Sequence, residues 1–312
     1  MSEKYSFMLF LMPESKRHVI LMAFTKKIGY LMLKPSRFLD PKTDIVFKKI
    51  FGNNLDLIKS FLNSILPLPE PIETLEYLTP EQSPRIPTMK NTIVDVKCKD
   101  KHGRIFIVEM QMQWSDSFAK RLLFGTSRAY VQQLMAGENY QSLCPVYGLG
   151  IINAIFDKES DEWFHHYKTI NVKNYDRILG GLELVFLELP KFKPATWKDK
   201  KMGVLWLRFL QEINEQLTEV PKEFSENPSL VKAMELAQES AYTPVELEAY
   251  DRYWDAVRVE STVRKDALEE GRREEQIKII KNLLSAGMPN DQIAFVMKLS
   301  IEHIMDAAKS MP

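Results

Sequence analysis

Three side chains in one short stretch have the types and spacing to do chemistry together. Residues 93–113 read IVDVKCKDKHGRIFIVEMQMQ, which holds Asp95, Glu109 and, two positions on, Gln111. Two runs rich in β-branched and apolar residues, 92–99 and 104–112, flank a polar turn ending in Gly103. Their period-two alternation predicts a β-hairpin. With Lys101-His102-Gly103 as a three-residue loop and Gly103 left-handed, the register sets Asp95 opposite Glu109. Opposed side chains have Cβ atoms about 5 Å apart, and like charges so placed destabilise the sheet unless something neutralises them. A divalent cation would do so. Gln111 projects from the same face as Glu109 and can reach the same ion, a water or a phosphate. Val94 and Val96 take the other face, and Val108, Met110 and Met112 point into the core. The bland alternative is an edge hairpin with solvated acids, and a one-residue slip in register would separate the pair.

The elements that must hold this hairpin follow from the flanking sequence. A helix is expected from Pro41, with Thr43 as its cap, Asp44 in the first turn and Phe47, Ile50 and Phe51 as its apolar stripe. Lys48 lies one turn after Asp44 on the same face and can approach the same cleft or stay solvated. After the hairpin, residues 114–135 read as a long helix with Phe118, Leu122, Gly125 and Ala129 on one face. Arg121 and Arg128, seven apart, share another, where they can hold a phosphate backbone or form a solvated surface. The apolar run 145–156 predicts a central strand, and 165–172 and 182–189 predict two more. His165 and His166, adjacent in a strand, point to opposite faces and make a poor ligand pair. The order of elements gives an α/β protein with a mixed central sheet flanked by helices. From Met202 onward the chain reads as helices alone. The charged run 246–281 fits either an exposed arm or a coiled coil that joins copies of the chain. A closing pair of short helices has Ile293, Val296, Leu299 and Ile304 inward.

Asp95, followed after a short hairpin by Glu109-Met110-Gln111, resembles the active-site signature of the PD-(D/E)XK nucleases in a variant ending in Gln rather than Lys. More narrowly, the chain resembles the Rpn family of recombination-promoting nucleases, or PD-(D/E)XK nuclease family transposases. The segments RFLDPKTDIVFKKIFG, LELVFLELPKF and ALEEGRREEQIKII carry that resemblance together with the hairpin, and it covers most of the chain from about residue 33. The resemblance implies a restriction-endonuclease-like core at 32–201, followed by an all-helical region at 202–312. It implies a DNA endonuclease linked to recombination or mobile elements. Asp95 and Glu109 would hold Mg²⁺ or Mn²⁺, with Asp44 facing the metal and Gln111 orienting the attacking water. Glutamine lacks the charge of lysine, and Lys97, on the Asp95 face, is a candidate substitute. Lys48, Lys97, Arg121 and Arg128 are the candidate DNA contacts. The same glutamine favours a second reading, a catalytically decayed nuclease fold that binds DNA or a protein.

Composition sets bounds on both readings. The chain has 312 residues, 42 Lys plus Arg balancing 42 Asp plus Glu, so nucleic-acid contact has to come from local patches. Two cysteines, Cys98 and Cys144, form no disulfide framework or zinc spacing, which suits a reducing cytoplasm. The apolar runs 7–12 and 18–24 are too short for a bilayer, and their interrupting charges fit a signal peptide poorly. Since the resembling family begins near Lys34, residues 1–31 are read as an extension and Met32 as the native start. The basic and aromatic run PKFKPATWKDKK at 190–201 can lie along a nucleic-acid strand or form a solvated loop. Phosphate-loop, dinucleotide, HExxH and GxSxG motifs are absent.

Overall fold

The computed structural model describes residues 37–82, 92–194 and 201–309, so the expectations for the extension before Met32 and for Trp197 lie outside the described residues. The chain divides into two compact units, one ending at Leu247 and one beginning at Glu248.

The first unit is built on a six-stranded sheet ordered β1-β4-β5-β6-β8-β7. Its strands are β1 (Leu75–Tyr77), β4 (Val96–Asp100), β5 (Ile105–Gln111), β6 (Val146–Ile152), β7 (Phe164–Asn171) and β8 (Asn174–Glu188). Two short strands, β2 (Glu81–Gln82) and β3 (Thr92–Ile93), pair separately. The β4–β5 and β7–β8 pairs are antiparallel, whereas β5–β6 and β6–β8 are parallel, which makes the sheet mixed as expected. Strand β6 is buried along its whole length between two parallel neighbours, the environment that a nearly unbroken apolar sequence fits.

The hairpin turn is the three-residue loop read from the sequence. Gly103 has φ +79°, its N–H donates to the Asp100 carbonyl at 3.0 Å, and the Asp100 N–H donates to the Arg104 carbonyl at 3.0 Å. The buried Asp100 carboxylate ties the loop down by accepting from the N–H groups of His102 (3.0 Å) and Arg104 (2.9 Å) and from Arg104 Nε (2.6 Å). The ladder pairs Val96 with Val108 and Lys97 with Ile107, and one further step brings Asp95 opposite Glu109. Asp95 itself sits at a bend one residue before β4. That bend corrects one expectation: Val94 does not share a face with Val96 but joins Ile105, Ile107, Phe118 and Leu122 in one apolar cluster.

Helix α3 (Asp116–Val131) crosses from β5 to β6 and covers one face of the sheet with Phe118, Leu122, Gly125 and Ala129 buried as predicted. Gly148 on β6 permits the close approach, since a Cβ there would meet Thr126 Cγ2 at 2.5 Å. Helices α1 (Asp44–Phe51) and α2 (Leu55–Ile65) bury their apolar stripes together with α4 (Lys201–Glu212). Trp206 of α4 lies 5.4 Å from Phe51 and 5.9 Å from Phe61, ring centre to ring centre. Thr43 occupies the cap position of α1, but its hydroxyl donates to the Asp40 carbonyl rather than capping the helix. The unit also contains α5 (Lys222–Ser225) and α6 (Pro228–Ala237).

Helix α7 (Pro244–Ser285) is 42 residues long and buries only Tyr250 and Ile280. The second unit closes with α8 (Asn290–Met297) and α9 (Ile301–Lys309), around a core of Ile280, Ile293, Ala294, Ile304 and Ala307. Leu299 packs partly against that core, but Val296 is 60% exposed, against the expectation that it points inward. None of the described helices is long and apolar enough to cross a membrane.

Candidate active site

Asp95 and Glu109 meet just before β4 begins, where β5 continues without it. Because the ladder stops at Val96, the Met110 N–H has no backbone acceptor on that side, and the Asp95 carboxylate takes the bond through Oδ2 at 2.8 Å. Asp95 Oδ1 lies 3.7 Å from Lys48 Nζ, and the same ammonium is 2.6 Å from Asp44 Oδ1. Lys48 therefore bridges the α1 acid to the hairpin acid, and Asp44 stays about half exposed at the rim.

Glu109 is buried, with one oxygen partnered and one not. Its Oε2 accepts from Arg121 Nη2 at 3.1 Å and Nε at 3.3 Å. Its Oε1 is buried and has no hydrogen-bond partner among the described residues. Arg121 Nη2 also donates to Gln111 Oε1 at 3.0 Å, and its guanidinium lies 5.1 Å from the centre of the Phe118 ring. Two cations, Lys48 from α1 and Arg121 from α3, thus flank two carboxylates.

The electrostatics follow from burial first. Loss of water pushes the Asp95 carboxyl up to about 7, against the downward pull of the Met110 N–H and Lys48, with Asp44 and Glu109 adding upward push. Burial also raises Glu109, opposed by Arg121. At Lys48 burial acts the other way, but Asp44 and then Asp95 outweigh it and hold the ammonium above the usual lysine value. Lys97, opposite Ile107, has its pKa lowered by burial and makes no ion pair among the described residues.

A hard divalent cation fits this donor set. Glu109 Oε1 is a buried oxygen with unmet bonding beside a second carboxylate, and an unsatisfied buried acceptor of this kind calls for a partner. Among the described residues no cluster of three or more His, Cys, Asp or Glu side chains could hold a metal. Two carboxylates are nevertheless what Mg²⁺ commonly takes from a protein when substrate phosphate and water complete its octahedron.

The structure gathers Asp44, Lys48, Asp95, Glu109, Gln111 and Arg121 at one end of the hairpin as a network of two contact groups, Asp44–Lys48–Asp95 and Glu109–Arg121–Gln111, set side by side by the register, and places Arg128 elsewhere on α3. Arg128 is 9% exposed, with its guanidinium 5.7 Å from the centre of the Phe124 ring, so it shares no solvent face with Arg121. His165 and His166 are not a pair either: one lies 2.8 Å from Glu188 Oε1 and the other 2.7 Å from Glu183 Oε2. Sequence reasoning missed two contacts, the Met110 N–H on Asp95 and the Arg121 clamp on Glu109 and Gln111. The second had a signal. The helix after β5 must cross back over the sheet, and Arg121 is one turn from Phe118 on that crossover.

A family model described as PD-(D/E)XK nuclease family transposase matches residues 41–263, a span that includes every residue of the network. No curated protein and no solved structure matches the chain.

Proposed function

The chain belongs to the PD-(D/E)XK nuclease family transposases, and on that premise we propose that it is a Mg²⁺- or Mn²⁺-dependent DNA endonuclease that hydrolyses phosphodiester bonds. The observation that carries this reading is the unpartnered, buried Oε1 of Glu109 beside Asp95. Asp95 and Glu109 would hold the cation, which when bound supplies a water of lowered pKa and neutralises charge on the scissile phosphate. The remaining work falls to the chain's own residues. The Met110 N–H fixes the orientation of the Asp95 carboxylate. Lys48, half-buried between Asp44 and Asp95, can hold the flanking phosphate once DNA enters. Lys97 is a second cation on the hairpin, and Asp44 acts through Lys48 at the rim.

Recombination or movement of mobile elements is the setting that fits the family, and DNA is the partner. Cys98 and Cys144 are both free thiols, which suits the reducing cytoplasm. The exposed Val259, Val263 and Leu268 of α7 support a homo-oligomer through the C-terminal helices, which sedimentation velocity would test. A catalytically decayed fold that binds DNA or protein is the second reading, favoured by the neutral Gln111 and by Arg121 lying on Glu109. Nicking of supercoiled plasmid by the wild type and Asp95→Ala, with and without Mg²⁺ or Mn²⁺, decides between them. Metal-dependent nicking lost in the variant supports the enzyme, and wild-type inertness with both metals leaves the binding module.

A further inference from the structure

We propose that Arg121 is a catalytic residue that supplies from α3 the positive charge missing at position 111, and that Gln111 is the positioning residue that aims it at the scissile phosphate. The inference rests on the nuclease reading and deepens it. The motif that names the family ends in lysine, and this chain has Gln111 there. A neutral amide cannot stabilise the charge that develops when phosphodiester hydrolysis proceeds. In that step a water oxygen bonds to phosphorus as the ester P–O bond breaks; the water gives up a proton, and the departing oxygen takes one up. Negative charge concentrates on the phosphoryl oxygens between the two events, and a cation has to be near them.

Arg121 is the cation whose geometry meets that need. Its Nη2 lies 3.0 Å from Gln111 Oε1 and 3.1 Å from Glu109 Oε2, so the guanidinium rests on the two side chains of the motif that face the reacting centre. Nε and Nη2 are thus engaged, Nη1 makes no hydrogen bond among the described residues, and the side chain is 47% exposed. A free N–H edge therefore remains for a phosphate, whose oxygens match the planar fork of guanidinium donors. Phe118, beneath the guanidinium at 5.1 Å, narrows its swing. Lys48 is a poorer candidate because its ammonium is taken by Asp44 at 2.6 Å. Lys97 is poorer too, since its place opposite Ile107 sets it back along the hairpin from Gln111.

The same contacts explain why position 111 is not lysine. An ammonium there would stand against the Arg121 guanidinium where Gln111 now accepts its hydrogen bond. Lysine at 111 and arginine at 121 are thus alternatives, and exchanging the charge should expose reciprocal dependence.

The test compares wild type, Arg121→Gln, Arg121→Lys, Gln111→Lys and the double variant Arg121→Gln/Gln111→Lys. Single-turnover cleavage of duplex DNA in Mg²⁺ is measured beside duplex affinity in Ca²⁺, Mn²⁺ binding by calorimetry without DNA, and melting temperature. Arg121→Gln should lose roughly 10²–10³ in the cleavage step, the scale for one transition-state donor. Its Ca²⁺-state DNA affinity should change by less than about tenfold, the scale of one phosphate contact. Mn²⁺ should bind that variant more tightly, because a cation has left Glu109. Gln111→Lys alone should also slow cleavage and weaken Mn²⁺ binding, whereas the double variant should recover most of the rate. Arg121→Lys should keep more rate than Arg121→Gln at equal melting temperature. Wild-type cleavage with an undiminished Arg121→Gln rate, or with a double variant no faster than Arg121→Gln, overturns the assignment and leaves the nuclease standing. A loss confined to DNA affinity overturns the catalytic role as well. A wild type that binds Mn²⁺ but cuts nothing overturns both readings together, and that result is read from the wild type alone.

Discussion

Two buried glutamates stand on the same face of the sheet, and they are treated in opposite ways. Registered across the parallel strands, Gln111, Ile152 and Glu188 form one row, and Glu109 lies two residues before Gln111 on β5. Glu188 is closed: its Oε1 lies 2.8 Å from His165 Nε2 and 2.9 Å from Lys191 Nζ, and its Oε2 accepts from the Phe156 N–H at 2.8 Å. Glu109 is open, with Oε2 bonded to Arg121 and Oε1 bonded to nothing among the described residues. Burial is common to both acids and cannot by itself mark a functional one. Unmet bonding capacity distinguishes them, because a buried acceptor left bare costs about 1–3 kcal/mol and calls for an explanation that a satisfied one does not.

Equivalent substitutions at the two positions should therefore have very unequal effects. Glu188→Gln leaves His165 and the Lys191 ammonium facing a neutral amide, and should cost about 3 kcal/mol, the range for breaking a buried charged network. Urea denaturation of the purified variant measures it; a loss under about 1 kcal/mol would mean that the network is not the structural clamp described.

Asp95 gives an effect of comparable size, but one that depends on pH. Its folded pKa of about 7 lies above the ordinary carboxylate value, so the folded state binds the proton more tightly than the unfolded one. That contribution is fully present below about pH 4, declines as pH rises to about 7 and is gone above it, a span on the order of 4 kcal/mol. The stability of the metal-free wild type relative to Asp95→Asn should accordingly fall across that window. A difference curve that is flat, or that rises with pH, rejects the buried-carboxyl picture.

Gly103→Ala should cost about 1–2 kcal/mol, the scale for forcing a side chain into a left-handed turn. Its φ is +79° and a Cβ there would meet Cys144 Sγ at 2.6 Å. The variant should also weaken Mn²⁺ binding, since the turn sets the register of Asp95 against Glu109. It should leave the Glu188 cluster, and hence the cost of Glu188→Gln added to it, unchanged.

The smallest effect on stability belongs to Glu109→Gln, which should leave the metal-free fold within about 1 kcal/mol of wild type and can raise it, because a repelling charge is removed. What it should abolish is the rise in melting temperature on adding millimolar Mn²⁺, which follows RT ln(1 + [L]/Kd). Retention of that rise would place the metal elsewhere.

How far the chain could be read in advance depends on how local each determinant is. The register of Asp95 against Glu109 was legible because a three-residue turn with a left-handed glycine counts residues outward from itself, and the period-two pattern confirms the count. Strand β6 was legible because its apolar run is what two parallel neighbours require. Val94 was misread because the bend at Asp95 has no pattern of its own, and Val296 because a helix of eight residues offers too few turns to locate its buried face.

The amino-acid sequence by itself determined the acids, their opposition across a hairpin, and the alternation of strands and helices, since those depend on turn chemistry and on periodicities of two and 3.6 residues. Only the tertiary structure decided which cations attend the acids. Lys48 reaches Asp95 because α1 packs beside the hairpin, and Arg121 reaches Glu109 and Gln111 because the β5–β6 crossover lays α3 on that face, whereas Arg128 on the same helix is buried. Two arginines seven residues apart have the same local signature in a chain of letters. Their fates diverge because Arg121 projects over the carboxylate of Glu109 at the end of β5, whereas Arg128, two turns on, is buried beside Phe124.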